Sequence, residues 1–202
     1  PTGAGTATTS ATNVLTTLQS NTFYYVYLRT NCGTGFSAWS YVGVFKTLCD
    51  SVTDFVQNFD NFPTGTGNLP DCWSKAGTSN NVYTSSGSGL PGTAPNYLYM
   101  NINATNSAYA IMPFVSNLQA NTHRLRFKAN ATATGKTLKV GYFTDPSDIT
   151  TFVEVGETPT LPNAFNFTVA QEYTIVPSGI PAGVNQLVFT MATGTSTTIY
   201  VD

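Results

Sequence analysis

One histidine and ten carboxylates are the side chains from which acid–base chemistry would be built in this sequence. A nucleophilic triad needs a histidine bonded to a nucleophile and oriented by an acid. His123 stands among basic residues at the head of an alternating run, and no Gly-x-Ser-x-Gly elbow occurs. It reads as an ordinary surface residue. Glycoside hydrolysis needs two carboxyl groups roughly 5–9.5 Å apart. Glu154 and Glu157 are three positions apart, and on a strand such positions face opposite sides. Zinc needs clustered His and Cys, which the sequence does not offer. Asp145-Pro-Ser-Asp148 reads first as an Asx-type turn, with calcium, a cation of 6–8 oxygen ligands, as the alternative. No residue is assigned a catalytic role, and the chain is expected not to be an enzyme. Tyr83, Tyr97, Tyr99 and Tyr109 alternate on strands or lie near loops. There they serve as core or as a platform for the C–H faces of sugars. Trp39 and Trp73 read as structural.

The elements that must position these residues are strands. Of 202 residues, 34 are threonine, and Asn, Ser and Gly are abundant. These types resist helix interiors and suit turns and pleated surfaces. Charged residues are only 9%, while 41% are hydrophobic and 13% aromatic, with a net charge of −2. That balance excludes a disordered chain and, with eight Lys+Arg, a phosphate-tracking nucleic-acid binder. No apolar run approaches the ~18–20 residues of a spanning helix, so no membrane insertion is expected. Polarity carried by hydroxyls and amides fits an extracellular β-protein. The chain opens on a polar Thr/Gly stretch, not a signal peptide, and is expected to be a mature protein or a piece of a larger one. Period-2 runs predict strands over residues 13–18, 23–31, 41–47, 52–59, 97–101, 108–112, 123–129, 137–143, 165–169, 173–176, 186–191 and 198–201. In the run 123–129, Leu125, Phe127 and Ala129 point one way and Arg124, Arg126 and Lys128 the other. The fold class is all-β, with the strands layered as sandwiches.

Two stretches carry specific resemblances. Leu18-Gln-Ser-Asn-Thr-Phe-Tyr24, Arg29-Thr-Asn-Cys32, Ser37-Ala-Trp39-Ser40 and Val44-Phe-Lys-Thr47 resemble the last strands of a fibronectin type III domain. The version is the Cys-bearing one of secreted Bacteroidota proteins. The resemblance implies a corner tyrosine, Tyr24, bonded to nearby backbone, with Tyr24, Val26, Leu28 and Thr30 facing inward. It also implies that the domain's first strands are missing. Phe59-Asp-Asn-Phe62, Leu69-Pro-Asp-Cys-Trp73, Tyr97-Leu-Tyr-Met100, His123-Arg-Leu-Arg-Phe127, Leu138-Lys-Val-Gly-Tyr-Phe-Thr-Asp145 and Ile199-Tyr-Val-Asp202 follow the order of MAM-like, cleaved-adhesin-type jelly rolls. The expected organisation is residues 1–48, the C-terminal part of a fibronectin type III sandwich, then residues 49–202, a jelly-roll β-sandwich. The chain is expected to be a fragment of a longer polypeptide.

What this implies about sites is limited. Cys32 and Cys49 fall at opposite ends of an expected hairpin, too far apart for a bridge. Cys49 and Cys72, flanking the first strand and first long loop of the jelly roll, are the expected disulfide. Cys32 is then free or paired within the missing strands, and three buried thiols are the alternative. Asp60 and Asp202 match acids near the first and terminal strands of MAM-like domains, and are the expected pair for a structural calcium. Asn103-Ala-Thr105, Asn130-Ala-Thr132 and Asn166-Phe-Thr168 match N-glycosylation acceptors, read as chance in a bacterial chain rich in Asn and Thr. Asp50-Ser-Val52 resembles the O-glycan acceptor of exported Bacteroidota proteins. The resemblance implies export by type IX secretion and a cell-surface role in adhesion. The partners would be flanking domains of the same chain and a glycan or surface-protein ligand. The alternatives are an accessory, non-catalytic region of a secreted hydrolase or peptidase, or a spacer without a ligand.

Overall fold

A computed structural model describes residues 1–87, 95–163, 171–192 and 196–202. The expected strand 165–169 and the acceptor motif at Asn166 lie outside the described residues. The chain divides into two compact units, Pro1–Asp50 and Ser51–Asp202.

The first unit holds one two-stranded antiparallel sheet, β1 (Phe23–Leu28) and β2 (Ser40–Lys46). Tyr24 and Val26 are half-buried, whereas Leu28 is exposed, because the register slips between Val26 and Tyr27. Thr30 is likewise exposed. The Tyr24 hydroxyl accepts the Gln19 backbone N–H at 2.7 Å. Thr47 closes the same corner, donating to the Gln19 carbonyl at 2.6 Å and accepting the Thr22 N–H at 2.9 Å. Asn21 takes the left-handed conformation (φ 50°) that turns the chain into β1; asparagine tolerates it better than most residues. The expected strand 13–18 is not one: that segment joins no ladder, and Val14 and Leu15 are exposed. Alternation there has no neighbouring strand to bond.

The second unit is a β-sandwich. Its strands are β3 (Ser74–Ala76), β4 (Val82–Ser86), β5 (Asn96–Ile102), β6 (Tyr109–Ile111), β7 (Leu125–Ala131), β8 (Lys136–Phe143), β9 (Phe152–Glu154), β10 (Thr160–Leu161), β11 (Gln171–Ile175), β12 (Val188–Met191) and β13 (Thr197–Val201). One sheet runs β10-β8-β12-β6-β3, with β9 also on β8; the other runs β11-β7-β13-β5-β4. The strand pairings are antiparallel. The chain repeatedly crosses from one sheet to the other, so each sheet's inner face is built from distant sequence. Alternation explains the core directly. Leu98, Met100 and Ile102 of β5 and Ile199 and Val201 of β13 point inward and are at most 1% exposed. Leu138 and Val140 of β8 and Phe189 and Met191 of β12 meet them from the facing sheet. Burying each such side chain contributes about 1.5–3 kcal/mol. In β7, Phe127 and Ala129 are buried and Arg126 is exposed, as the alternating run requires.

The expected strand 52–59 is the main correction here. Only Val52 makes a bridge, parallel to Val115. Phe59, with φ 61°, breaks any extended run and drops its ring, 2% exposed, into the core. Its ring and that of Phe55 both lie edge-on to Trp73, at centroid distances of 5.4 and 6.2 Å. The segment is a side-chain plug without a backbone ladder.

Candidate functional site

The outer face of the five-stranded sheet gathers residues that are far apart in sequence. Tyr83 of β4 pairs with Tyr99 of β5, and Tyr99 pairs with Tyr200 of β13. Three tyrosines therefore stand in one row across three strands, on the side opposite Val82, Met100 and Ile199. Tyr83 and Tyr99 stack at 4.8 Å between ring centroids; Tyr99 and Tyr200 meet edge-on at 5.9 Å. Tyr97, two residues along β5, meets Tyr200 edge-on at 5.3 Å. Tyr83, Tyr99 and Tyr200 are half-buried. Burial, reinforced by the neighbouring phenols, raises the Tyr83 and Tyr200 hydroxyls above the ordinary value of 10.0. Those two phenols therefore stay neutral at physiological pH, as hydrogen-bond donors and acceptors.

Amides and charges frame the row. On the same face Asn101 donates to the Thr197 carbonyl at 3.1 Å and the Thr198 hydroxyl at 2.8 Å, and accepts the Asn81 amide at 3.3 Å. On the other side lie Lys128 and the exposed Arg126–Glu172 ion pair at 2.6 Å. Asn130, opposite Tyr200, is fully buried in β7, and neither amide atom has a partner. Its burial removes it as a glycan acceptor. Asn103, by contrast, is exposed, its side-chain oxygen accepting the Thr105 and Asn106 N–H groups at 3.0 Å.

Of the four tyrosines singled out from sequence, the fold brings three together. Tyr109 sits in the other sheet, edge-on to Phe143 at 5.2 Å. Tyr200 was not among the four. Its place depends on β13 entering the sheet beside β5, a pairing between positions about 100 residues apart that no local pattern encodes.

The acids also have definite places. Asp60 accepts the Asn96 backbone N–H at 3.1 Å on one carboxylate oxygen and the Asn58 amide at 2.9 Å on the other. The Asn96 amide nitrogen lies 3.3, 3.1 and 3.2 Å from the carbonyls of Phe59, Asp60 and Phe62. An amide nitrogen has two protons, so three carbonyls converge where two donors are available. The Asn96 amide nitrogen itself occupies the point where these oxygens meet. Asp202 pairs by backbone with Lys128, and the Val201–Leu98 register sets it one step beyond Leu98, alongside Tyr97. Asp60 and Asp202 thus lie at the same end of the five-stranded sheet. Among the described residues no three His, Cys, Asp or Glu side chains gather.

Elsewhere the acids are engaged locally. Asp145 accepts the Ser147 N–H at 2.9 Å and hydroxyl at 2.6 Å, the Asx turn read from its sequence, and those bonds lower its carboxyl below the usual range. Glu154 is bound to Lys139 at 2.8 Å, and His123 lies 2.9 Å from the Thr53 carbonyl through Nε2. Cys49 and Cys72 are disulfide-bonded, while Cys32 is free and exposed near the β1–β2 turn.

No protein-family model matches the chain, and no curated protein sequence does. Solved structures do. A cleaved adhesin domain of Lys-gingipain from Porphyromonas gingivalis superposes with a TM-score of 0.52 at 16% identity, covering 72% of this chain and 92% of that one. A second cleaved adhesin domain of Lys-gingipain gives 0.49 at 18% identity, over 70% and 96%. A family 30 carbohydrate-binding module of a cellulosomal cellulase from Clostridium thermocellum gives 0.42 at 12% identity, over 71% and 90%. The first of these likenesses shows the fold, an all-β jelly-roll sandwich.

Proposed function

We propose that this chain is a non-catalytic module of a secreted or cell-surface protein, acting in adhesion, and that the tyrosine row is its contact surface for a glycan. The observation that carries the reading is the register that aligns Tyr83, Tyr99 and Tyr200 across three strands. Tyrosine presents an apolar face to sugar C–H groups and a hydroxyl to sugar oxygens at low entropic cost. A rigid sheet holds that geometry better than a loop does. The disulfide-bonded Cys49 and Cys72 suit an oxidising, extracellular setting, and a domain that superposes on the fold bears the description adhesin. Among the described residues no helix is long and apolar enough to cross a membrane.

Three finer points belong to the same proposal. The first unit is the end of a fibronectin type III domain, as Tyr24 and its bond to Gln19 suggest, and the parent is a type IX-exported Bacteroidota protein. Cys49 and Cys72 are each other's partners. A calcium ion joins Asp60 to Asp202 in a structural role; an unchanged melting temperature in chelator sinks that point.

A glycan array probed with the full chain and with Tyr99→Ala tests the contact surface. Signal on a restricted set of neutral glycans, lost in the variant while its melting curve stays cooperative, is the expected result. No signal at high protein concentration leaves a spacer.

A further inference from the structure

A groove of about 240 Å³ lies on the sheet that carries β6, β8 and β12, not on the sheet of the tyrosine row. Register makes its floor. Val188 of β12 stands opposite Ile111 of β6 on one side and Gly141 of β8 on the other. Phe189 and Met191 of β12 belong to the core, so Val188, one step away, faces outward with Ile111. Phe143, two residues past Gly141 on β8, completes an apolar floor.

Two pinned loops make the walls. On one side Asp145 holds Ser147 in its Asx turn, and the Thr144 N–H donates to the Thr151 carbonyl at 3.3 Å, which sets Thr144 and Pro146 at the rim. On the other side the Gln119 amide reaches the Val184 carbonyl at 2.5 Å and the Asn185 side-chain oxygen at 2.7 Å, while the Asn185 carbonyl accepts the Val115 N–H at 2.7 Å. The groove is therefore formed in advance, and a ligand need not order it. Its rim is open to solvent. Phe114 is 41% exposed, and Thr144, Pro146 and Ala182 are exposed beside it.

The rim chemistry narrows the ligand. Among the described residues no charged side chain lines the groove. Gln186 spends its amide nitrogen on the Met112 carbonyl at 2.7 Å, which leaves its amide oxygen as an acceptor. The Asn185 amide nitrogen has only a 3.5 Å contact with the Gly183 carbonyl. Both residues are part-exposed, and Thr144 adds a hydroxyl. A hydrocarbon would strip water from these groups without replacing its bonds, and a charged group would find no counter-charge. A sugar ring has apolar C–H faces and hydroxyls that both donate and accept. The space equals roughly eight waters at about 30 Å³ each, room for one such ring.

We propose that this groove is a second carbohydrate site, taking one neutral hexose unit with its C–H face on Phe114 and its hydroxyls on Thr144, Asn185 and Gln186. It uses no residue of the tyrosine row and lies on the other sheet. One copy of the second unit then holds two glycans at once, and a glycan-coated surface is gripped with avidity.

The test is an NMR titration of the full chain with methyl β-glucoside, methyl α-mannoside and methyl β-galactoside. At least one is expected to move the Asn185 and Gln186 side-chain amide resonances saturably, at concentrations on the order of 10 mM. Phe114→Ala is expected to weaken that binding about tenfold, and Thr144→Val about threefold. Tyr99→Ala leaves it unchanged, which separates this site from the tyrosine row. Methyl β-glucuronide and N-acetyl-prolyl-prolinamide are expected to bind at least about threefold more weakly than the best glycoside. If Phe114→Ala does not melt cooperatively, Thr144→Val decides alone. The proposal is overturned by any of three results. One is no saturation with any of the three glycosides. Another is a comparator that binds as tightly, the dipeptide in that case making the groove a peptide site. The third is an unchanged titration in the folded variants of Phe114 and Thr144.

Discussion

The two units follow the same sequence rule with different outcomes. In the first, β1 (Phe-Tyr-Tyr-Val-Tyr-Leu) and β2 (Ser-Tyr-Val-Gly-Val-Phe-Lys) carry apolar and aromatic residues in plenty. Yet Phe23 is 60% and Tyr25 64% exposed on one side, and Val42 57% and Val44 49% on β2. In the second, Leu98, Met100 and Ile199, placed by the same alternation, are 0% exposed. Alternation makes a strand amphipathic, but only a second sheet turns the amphipathic face into a core. A hairpin with nothing packed on it is marginal in water, and the Tyr24–Thr47 corner holds the first unit by hydrogen bonds more than by burial.

The contrast can be broken most sharply by truncation. Leu98→Ala is expected to destabilise the second unit by about 2–5 kcal/mol. Val44→Ala, at a surface position, is expected to cost no more than about 0.5 kcal/mol. Denaturant unfolding of both variants checks this, and equal losses would mean that β2 is covered in solution. Reduction is the next largest effect. Reducing the disulfide bonding at Cys49 and Cys72 is expected to cost about 2–4 kcal/mol, and a non-reducing digest should yield one peptide pair that joins these two cysteines, with Cys32 alkylated.

Two smaller effects concern titration. The raised Tyr83 and Tyr200 phenols ionise less readily folded than unfolded. Their contribution is thus constant below pH 10 and turns unfavourable as pH rises past the unfolded phenol value. Ultraviolet titration should show a late phenolate fraction that vanishes in urea. Smallest of all, the Arg126 hydrogen bond and then its charge lower the Glu172 carboxyl. A lowered acid stabilises above its unfolded value, and that stability is lost as pH falls through the folded one. NMR titration should place Glu172 below an ordinary glutamate, and Arg126→Gln should return it upward.

Much of the fold was legible where the runs are long. Residues 97–101 and 123–129 read as strands because five or more alternating positions leave little ambiguity. The all-β class followed from composition. β3, β9 and β10 escaped, since two or three residues cannot display a period. β4 escaped because Val-Tyr-Thr-Ser-Ser is too polar to look half-buried; its Thr84 is nonetheless 0% exposed. Residues 52–59 misled for the opposite reason: their aromatics alternate convincingly, but they pack as a plug. The candidate contact surface was half legible. Tyr97 and Tyr99 share a face by simple parity, whereas Tyr83 and Tyr200 join them only through register.

One topological detail bears on how such a chain is made. Among the described residues β13 comes latest in sequence, yet it lies between β7 and β5 at the middle of its sheet. Until it arrives, β7 and β5 have no shared neighbour, and the five-stranded layer cannot close. Non-local pairing of this kind delays folding. The tyrosine row inherits the same delay, because Tyr200 of β13 stands beside Tyr99 only once that pairing forms.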